Sequence, residues 1–325
     1  MPHDEYVIRS FSPAHDIPRV LSFYRAVEAT DHNGVDTSEQ AIRANLEIPG
    51  HDPGKDRWVI ESPEDAETLI ASALVQISPQ IKLADANIIV HPEWRQRGIG
   101  SDLLSKLLTR SAELKLGAIQ IFANTNHPAA AGFLQKRGFI AQGAYTELRL
   151  AQGIKLPPVL WPYGYTMRPY SAVQDISILT EAMNLCYIPL WGHHTVTEQQ
   201  MSSWLPEFNQ PGIFLVFSEK GRVVGVSRTE PSPERTTKNG VPTGYIDAPG
   251  VVPQHRRLDL YRALVLTGIR WLQDQGQSII ELESWGDKLE VLKMYRELGF
   301  EEFRQLICYQ LNLSGGTDPH STVSL

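Results

Sequence analysis

At 325 residues, 42% hydrophobic and 21% charged, the chain has the length of two ordinary domains and the composition of a protein that buries a core. A net charge of -7 excludes the broad basic footprint of a general nucleic-acid binder, while leaving room for a local basic pocket. Two cysteines, Cys186 and Cys308, stand in no Cys-x-x-Cys pattern and argue against a disulfide framework and a structural zinc. No apolar run reaches the roughly 18–20 residues of a membrane span. Met1-Pro2-His3-Asp4-Glu5 lacks the basic-then-apolar order of a signal peptide, so a cytoplasmic location with no membrane partner is expected.

The predicted elements begin with a strand at residues 6–9 and a helix whose start Asp16 marks. A second helix is predicted from Thr37-Ser38-Glu39, then a strand around residues 58–60 and its hairpin partner. Next comes the most informative stretch. Ile88-Ile89-Val90 reads as a strand that ends in the turn His91-Pro92-Glu93-Trp94-Arg95-Gln96-Arg97-Gly98-Ile99-Gly100-Ser101. Leu103, Leu104, Leu107 and Leu108 then recur at helical spacing. That order sets a row of backbone N–H groups at a helix N-terminus, where they can hold a pyrophosphate. Gly98 and Gly100 allow close approach to the main chain, and Arg95 and Arg97 add positive charge. A further strand, Ala118-Ile119-Gln120-Ile121-Phe122-Ala123, leads to Asn126 and a helix that begins at Pro128 and ends in Gly138-Phe139.

The chain is written twice. Ile8-Arg9-Ser10-Phe11-Ser12 returns as Met167-Arg168-Pro169-Tyr170-Ser171, and Val90-x-Pro92-x-x-Arg95 returns as Val251-x-Pro253-x-x-Arg256. Gly138-Phe139 returns as Gly299-Phe300. The offset is nearly constant, which implies a duplicated domain. We expect an N-terminal domain over residues 1–150, a linker over 151–163 rich in Pro157, Pro158 and Pro162, a C-terminal domain over 164–313 and a disordered tail over 314–325.

The Val-x-Pro-x-x-Arg-x-x-Gly-x-Gly loop and the later Asn…Phe-Leu-x-x-x-Gly-Phe segment resemble those of the GNAT superfamily of acetyltransferases. The two-copy layout resembles that of the mycothiol synthases, a tandem branch of the superfamily. The resemblance implies an α/β fold in each copy, a central and mostly antiparallel sheet flanked by helices. It implies acetyl-CoA as acyl donor, with no metal, and a small amine substrate as acceptor. The coenzyme A arm is then expected along Ile88, Ile89 and Val90, its diphosphate on Arg95, Gln96, Arg97, Gly98, Ile99, Gly100 and Ser101, and a further contact from Asn126, with Asn124 and His127 as rivals. Capping of the helix at Pro128 is a second role open to Asn126.

The copies differ. Asp259 and Tyr261 stand where the first copy has Gly98 and Gly100, which puts a carboxylate and a ring where phosphates would lie. In the mycothiol synthases the C-terminal copy keeps the intact loop; here the order is reversed, so their substrate is not carried over. The superfamily places a tyrosine before Gly-Phe to protonate the leaving thiolate. Tyr295 holds that place in the second copy and Leu134 in the first. The proton of the acceptor ammonium calls for a carboxylate. Asp85 is the first candidate, against a solvated strand-edge role; Glu39 and His91 are weaker ones.

His193-His194 has no third ligand at useful spacing, and no Gly-x-Ser-x-Gly is present. Glu283-Ser284-Trp285-Gly286-Asp287 reads as a rigid loop around a tryptophan. The sequence thus points to an N-acetyltransferase with one working site in the first copy, the alternative being an acyl-CoA-binding sensor without catalysis. A tandem chain can pair its own two sheets, and either a monomer or a homodimer is compatible with it.

Overall fold

The computed structural model describes residues 6–313 apart from 34–36, 49, 79–81, 151, 189, 191–192, 194 and 248. The tail expected over 314–325 and half of the His193-His194 pair lie outside these residues. In chain order the elements are β1 (Ile8–Ser10), α1 (Pro13–Asp31), α2 (Glu39–Leu46), α3 (Pro53–Asp56), β2 (Arg57–Glu61), β3 (Leu69–Ser78), β4 (Leu83–Val90), α4 (Ile99–Glu113), β5 (Ala118–Asn124), α5 (Pro128–Gln135) and β6 (Ile140–Leu150). They continue with β7 (Tyr165–Pro169), α6 (Tyr170–Val173), α7 (Ile176–Cys186), α8 (Glu198–Trp204), β8 (Ile213–Ser218), β9 (Val223–Pro231), α9 (Pro233–Asn239), β10 (Thr243–Ile246), β11 (Gly250–Val251), α10 (Leu258–Asp274), β12 (Ile279–Trp285), α11 (Leu289–Glu297) and β13 (Phe300–Asn312).

Local chemistry explains the starts of the helices. Asp175 caps α7 by accepting from Ser177 N and Ile178 N, and Thr197 forms a capping box with Gln200 at α8. The first copy departs from its predicted cap. Ser12, not Asp16, stands at the N-cap of α1, and Asp16 reaches back to accept from Ser12 N at 2.7 Å. Asp16 is fully buried because Arg9 and Arg19 neutralise it.

The chain divides into two compact units. In the first, the strand order is β1-β2-β3-β4-β5 and then the C-terminal part of β13. Its pairs are antiparallel from β1 to β4 and parallel between β4 and β5. Strand alternation sorts the side chains. Ala71, Ala73, Val75, Ala84, Ala86, Ile119 and Ile121 share one core with Leu103, Leu104 and Leu107 of α4. The opposite face packs Val59, Leu69 and Ile89 against α1 and α2.

The second unit repeats this order in β7-β8-β9-β10-β12, with β10 and β12 parallel, followed by β6. Its main core sets Leu264, Val265, Ile269 and Leu272 of α10 with Val291, Met294 and Tyr295 of α11.

The units do not coincide with the sequence copies. Residues 143–150 of β6 belong to the second unit, where Tyr145 to Leu150 pair antiparallel with β12. Residues 307–313 belong to the first. Apolar matching explains the exchange. Leu148 and Leu150 complete the core of α10 and α11, and Tyr309 completes that of α4. Residues 154–162 carry neither helix nor strand.

Candidate active site

The site begins where a ladder ends. β4 pairs with β3 along its whole length, from Ser78↔Leu83 to Ala71↔Val90. With β5 it pairs only from Leu83↔Ala118 to Ala86↔Ile121. Beyond that register the two parallel strands part, and the β5-facing side of Asn87, Ile88, Ile89 and Val90 is left without a strand ladder. An extended ligand can add to such a side as a strand does, through main-chain hydrogen bonds.

Val90 runs into the turn. Gln96 and Gly98 both take left-handed backbone, at φ 62° and 93°. Gly98 is the N-cap of α4. Only glycine adopts that conformation at little cost, and the turn it makes starts a 15-residue helix whose first N–H groups lack intrahelical partners. The helix dipole adds positive potential there. Ile99 is buried and anchors the turn to the core. A Cβ on Gly100 would meet the Phe133 ring at 3.6 Å, an ordinary contact.

The arginines around the turn are held. Arg95 donates from Nε to the Val90 carbonyl at 3.1 Å and from Nη1 to Asp31 Oδ1 at 3.0 Å, with a second bond from Nη2 to Oδ2. Arg97 stacks over the Trp94 ring at 4.5 Å and donates to the Glu93 carbonyl. Arg137, which the sequence reading missed, lies over the Phe133 ring and donates to Ser101 Oγ at 2.5 Å. Its charge thus stands at the first turn of α4; its position directly before Gly138-Phe139 is the only sequence signal for it.

The end of α1 closes on the same region. Asn124 donates to Asn33 Oδ1 at 2.9 Å, and His127 Nε2 lies 3.3 Å from the Asp31 carbonyl. Asn126 is exposed, and its N–H donates to Asn124 Oδ1. His127, not Asn126, stands at the N-cap of α5, without a side-chain cap bond. Glu39 is engaged with Arg43 on the exposed side of α2, and His91 caps the short turn at Pro92.

Asp85 is not a solvated edge residue. It sits in the paired part of β4 opposite Gln120, one register before the parting, and accepts from Gln120 Nε2. Burial pushes its carboxyl up, with the Gln120 bond opposing. Gln120 is a second residue that the sequence reading did not single out; its signal is a lone amide between Ile119 and Ile121 in a buried strand.

The second unit repeats the frame, parting included, since β10 pairs with β12 only as far as Ile246↔Leu282 and β11 pairs with β9; it differs at the turn. Arg256 Nε donates to the Val251 carbonyl at 2.9 Å, as Arg95 does to Val90, and Arg256 Nη2 binds the Cys186 and Ile188 carbonyls at the end of α7. A Cβ on Gly250 would lie 2.9 Å from both Cys186 Cβ and the Tyr187 ring, so α7 presses directly on β11. α10 starts from extended Arg257, which forks onto Asp259 with two bonds of 2.6 Å. Tyr261 is buried. Tyr295 is fully buried, its hydroxyl 3.4 Å from Asp287 Oδ2. Burial and Asp287 push the phenol well above its ordinary value. Asp287 also accepts from Ser284 Oγ at 2.8 Å, and burial pushes its carboxyl up to about 6.

Among the described residues no helix is long and apolar enough to cross a membrane, and no group of three or more His, Cys, Asp or Glu is placed to hold a metal ion.

These features are those of a mixed α/β fold, and comparison with known proteins agrees. Residues 54–141 match the Acetyltransferase (GNAT) domain and residues 176–300 match the Acetyltransferase (GNAT) family. The chain belongs to the GNAT family, as a tandem acetyltransferase with the layout of the mycothiol synthases. A mycothiol acetyltransferase from Rhodococcus opacus (strain B4) is 27% identical over 304 residues, 91% of this chain and 94% of that relative. One from Frankia casuarinae is 30% identical over 233 residues, 69% of this chain and 67% of the relative. A GCN5-related N-acetyltransferase from Sphaerobacter thermophilus shares the fold with a TM-score of 0.75 at 19% identity, over 97% of this chain and 98% of that one. A tandem GNAT protein from the clavulanic acid biosynthesis pathway does so with a TM-score of 0.64 at 15% identity, over 97% and 99%. The family uses acetyl-CoA as its acyl donor.

Proposed function

We propose that the first unit transfers an acetyl group from acetyl-CoA to a primary amine of a small molecule or peptide, and that the second unit binds no acyl-CoA. The observation that carries this is the left-handed Gly98 turn at the start of α4, beside the parting of β4 from β5, where the second unit has extended Arg257, Asp259 and buried Tyr261. Ile88, Ile89 and Val90 would hold the pantetheine arm by main-chain bonds, and residues 95–101 the diphosphate, with Arg137 adding charge and Asn126 an exposed amide. Gly100 fits this reading because packing against Phe133 does not itself demand a glycine.

Bound acetyl-CoA supplies a thioester whose thiolate, with a thiol pKa of about 8.5, is a fair leaving group. A main-chain N–H on the open side of β4 polarises the carbonyl as an oxyanion donor does. Asp85 takes the proton of the acceptor ammonium, directly or through water, and burial strengthens it as a base by raising its pKa above the ordinary aspartate value. Leu134 stands where relatives of the family carry a tyrosine, so the thiolate departs without a side-chain acid. We assign Tyr295, sealed against Asp287, to the packing of the second unit. The names of the curated relatives support acetyl as the group moved; their acceptor is not carried over, because here the glycine turn stands in the first copy.

Calorimetric titration with acetyl-CoA tests the donor site, with one equivalent bound and binding lost in Gly98→Val. Thiol release across a set of amines then tests transfer. Two equivalents bound, or full binding by Gly98→Val, overturns the assignment of the site. Binding with no thiol release for any amine overturns transfer.

A further inference from the structure

One face of the first unit's sheet is set apart by its chemistry. Asp85 and Asn87 of β4, Gln120 and Asn124 of β5, and Cys308 and Gln310 of β13 alternate away from the α4 core that their neighbours fill. Within this face three side chains form a line across three strands. Cys308 Sγ donates to Gln120 Oε1 at 3.3 Å, and Gln120 Nε2 donates to Asp85 Oδ1.

A glutamine amide has one donor end and one acceptor end, and its orientation follows from what each end meets. An ionised carboxylate accepts only, so it selects Nε2. The other end must then find a donor. Cys308 supplies it, since its only polar hydrogen is the thiol S–H, and the residue is fully buried. Were Gln120 to turn over, its oxygen would face the carboxylate and its NH2 a thiol that accepts weakly. The thiol stays protonated across the working range, its pKa pushed up to about 12 by burial and by Asp85.

We infer that Gln120, its orientation locked by Cys308, is a positioning residue that holds Asp85 in its ionised, proton-accepting form. The inference rests on the reading of Asp85 as the base of the first unit. Burial alone drives Asp85 toward its neutral acid, which cannot take a proton; the amide donor counters this without placing a permanent charge beside the acceptor. The neighbours leave that task to Gln120. On β3 the side-by-side residue is Gln76, which α2 engages through Asn45 at 3.2 Å, and on β13 the titratable neighbour is Cys308 itself.

The test is direct titration of Asp85 by the 13C signal of its carboxyl in protein labelled at aspartate, assigned by its loss in Asp85→Asn, with no ligand added. Gln120→Leu removes the donor and is expected to move the Asp85 midpoint up by about one unit, the worth of one hydrogen bond to a charged group. Cys308→Ala frees the amide to turn and moves the midpoint the same way by less. Cys308→Ser keeps a donor and restores the parent midpoint, which a merely structural role would not reproduce. An unmoved midpoint in Gln120→Leu, or in Cys308→Ala should the former fail to fold, overturns the inference. Failure of the base reading shows separately, as acetyl transfer by Asp85→Asn with an unchanged pH profile.

Discussion

Arg95 reaches back to Asp31, binding both carboxylate oxygens while its Nε holds the Val90 carbonyl. Arg256 repeats the second half of this arrangement on Val251 and replaces the carboxylate by main-chain carbonyls at the end of α7. The arginine of the repeated Val-x-Pro-x-x-Arg pattern is therefore a latch in both units, tying a strand end to the end of α1 in the first and of α7 in the second. In the first unit it fixes the turn that carries Gly98. A double-mutant cycle of Arg95→Ala with Asp31→Asn in urea should give a coupling of about 1 kcal/mol, reduced from that of a buried charge pair because Arg95 is partly exposed. Arg95→Lys should not restore it, since an ammonium cannot fork onto two oxygens. A coupling near zero would show the latch to be absent in solution.

The two glycines of the loop separate fold from ligand. Gly98→Ala places a Cβ at φ 93° and should lower stability by about 1–2 kcal/mol. Gly100→Ala sits at the start of a helix, meets only the Phe133 ring and should leave the melting temperature within a degree or two. Acetyl-CoA affinity should fall in both, by tenfold or more. The informative variant is Gly100→Ala, where a loss of binding on an intact fold reports ligand approach alone. Unchanged affinity there would mean that the phosphates lie elsewhere.

Much of this frame is legible in the amino-acid sequence, for local reasons. The turn before α4 announces itself because its glycines and its leucine repeat are contiguous, and Thr37-Ser38-Glu39 and Thr197-Glu198 mark helix starts by capping chemistry that acts within three residues. Asp16 shows the limit. It is acidic and close to a helix start, as a cap is, yet it is held by Arg9 and Arg19, whose shared second partner, Glu61, only the fold brings near. Gln120, Arg137 and Asp31 escaped for the same reason, their partners lying 35, 36 and 64 positions away. The exchange of β6 and β13 left no trace in the repeat, since either sheet accepts a strand of the same alternation.

Asp287 makes the second unit sensitive to pH. Its carboxyl is raised to about 6 in the fold by burial, above the ordinary aspartate value. An acid with a raised folded pKa stabilises most below its unfolded pKa near 4, and that contribution is lost as pH climbs through 6. The loss amounts to roughly 2–3 kcal/mol between pH 4 and pH 8. Asp287→Asn keeps the geometry near Ser284 and Tyr295 without the ionisation, so its stability relative to the parent should improve by about that amount over the same span. Urea midpoints at several pH values measure it. A constant difference across pH would place the carboxyl in water rather than against Tyr295.

The strand exchange makes a sharper claim about the chain. Leu148 follows α5 in sequence but packs in the core of α10 and α11, fully buried. Leu148→Ala should cost about 3 kcal/mol, as a large-to-small change in a closed core does. Hydrogen exchange should show the loss of protection in α10 and β12 while β3 and β4 keep theirs. Tyr309→Ala should do the converse, since that ring completes the core of α4. The same reasoning predicts that a piece spanning residues 1–163, a whole repeat by sequence, lacks the strand that β5 pairs with and will not unfold cooperatively alone. Mixing it with a piece spanning 164–325 should restore a cooperative transition. Cooperative unfolding of the isolated first piece would mean that β6 can turn back onto β5, and that the exchange is one of two accessible pairings.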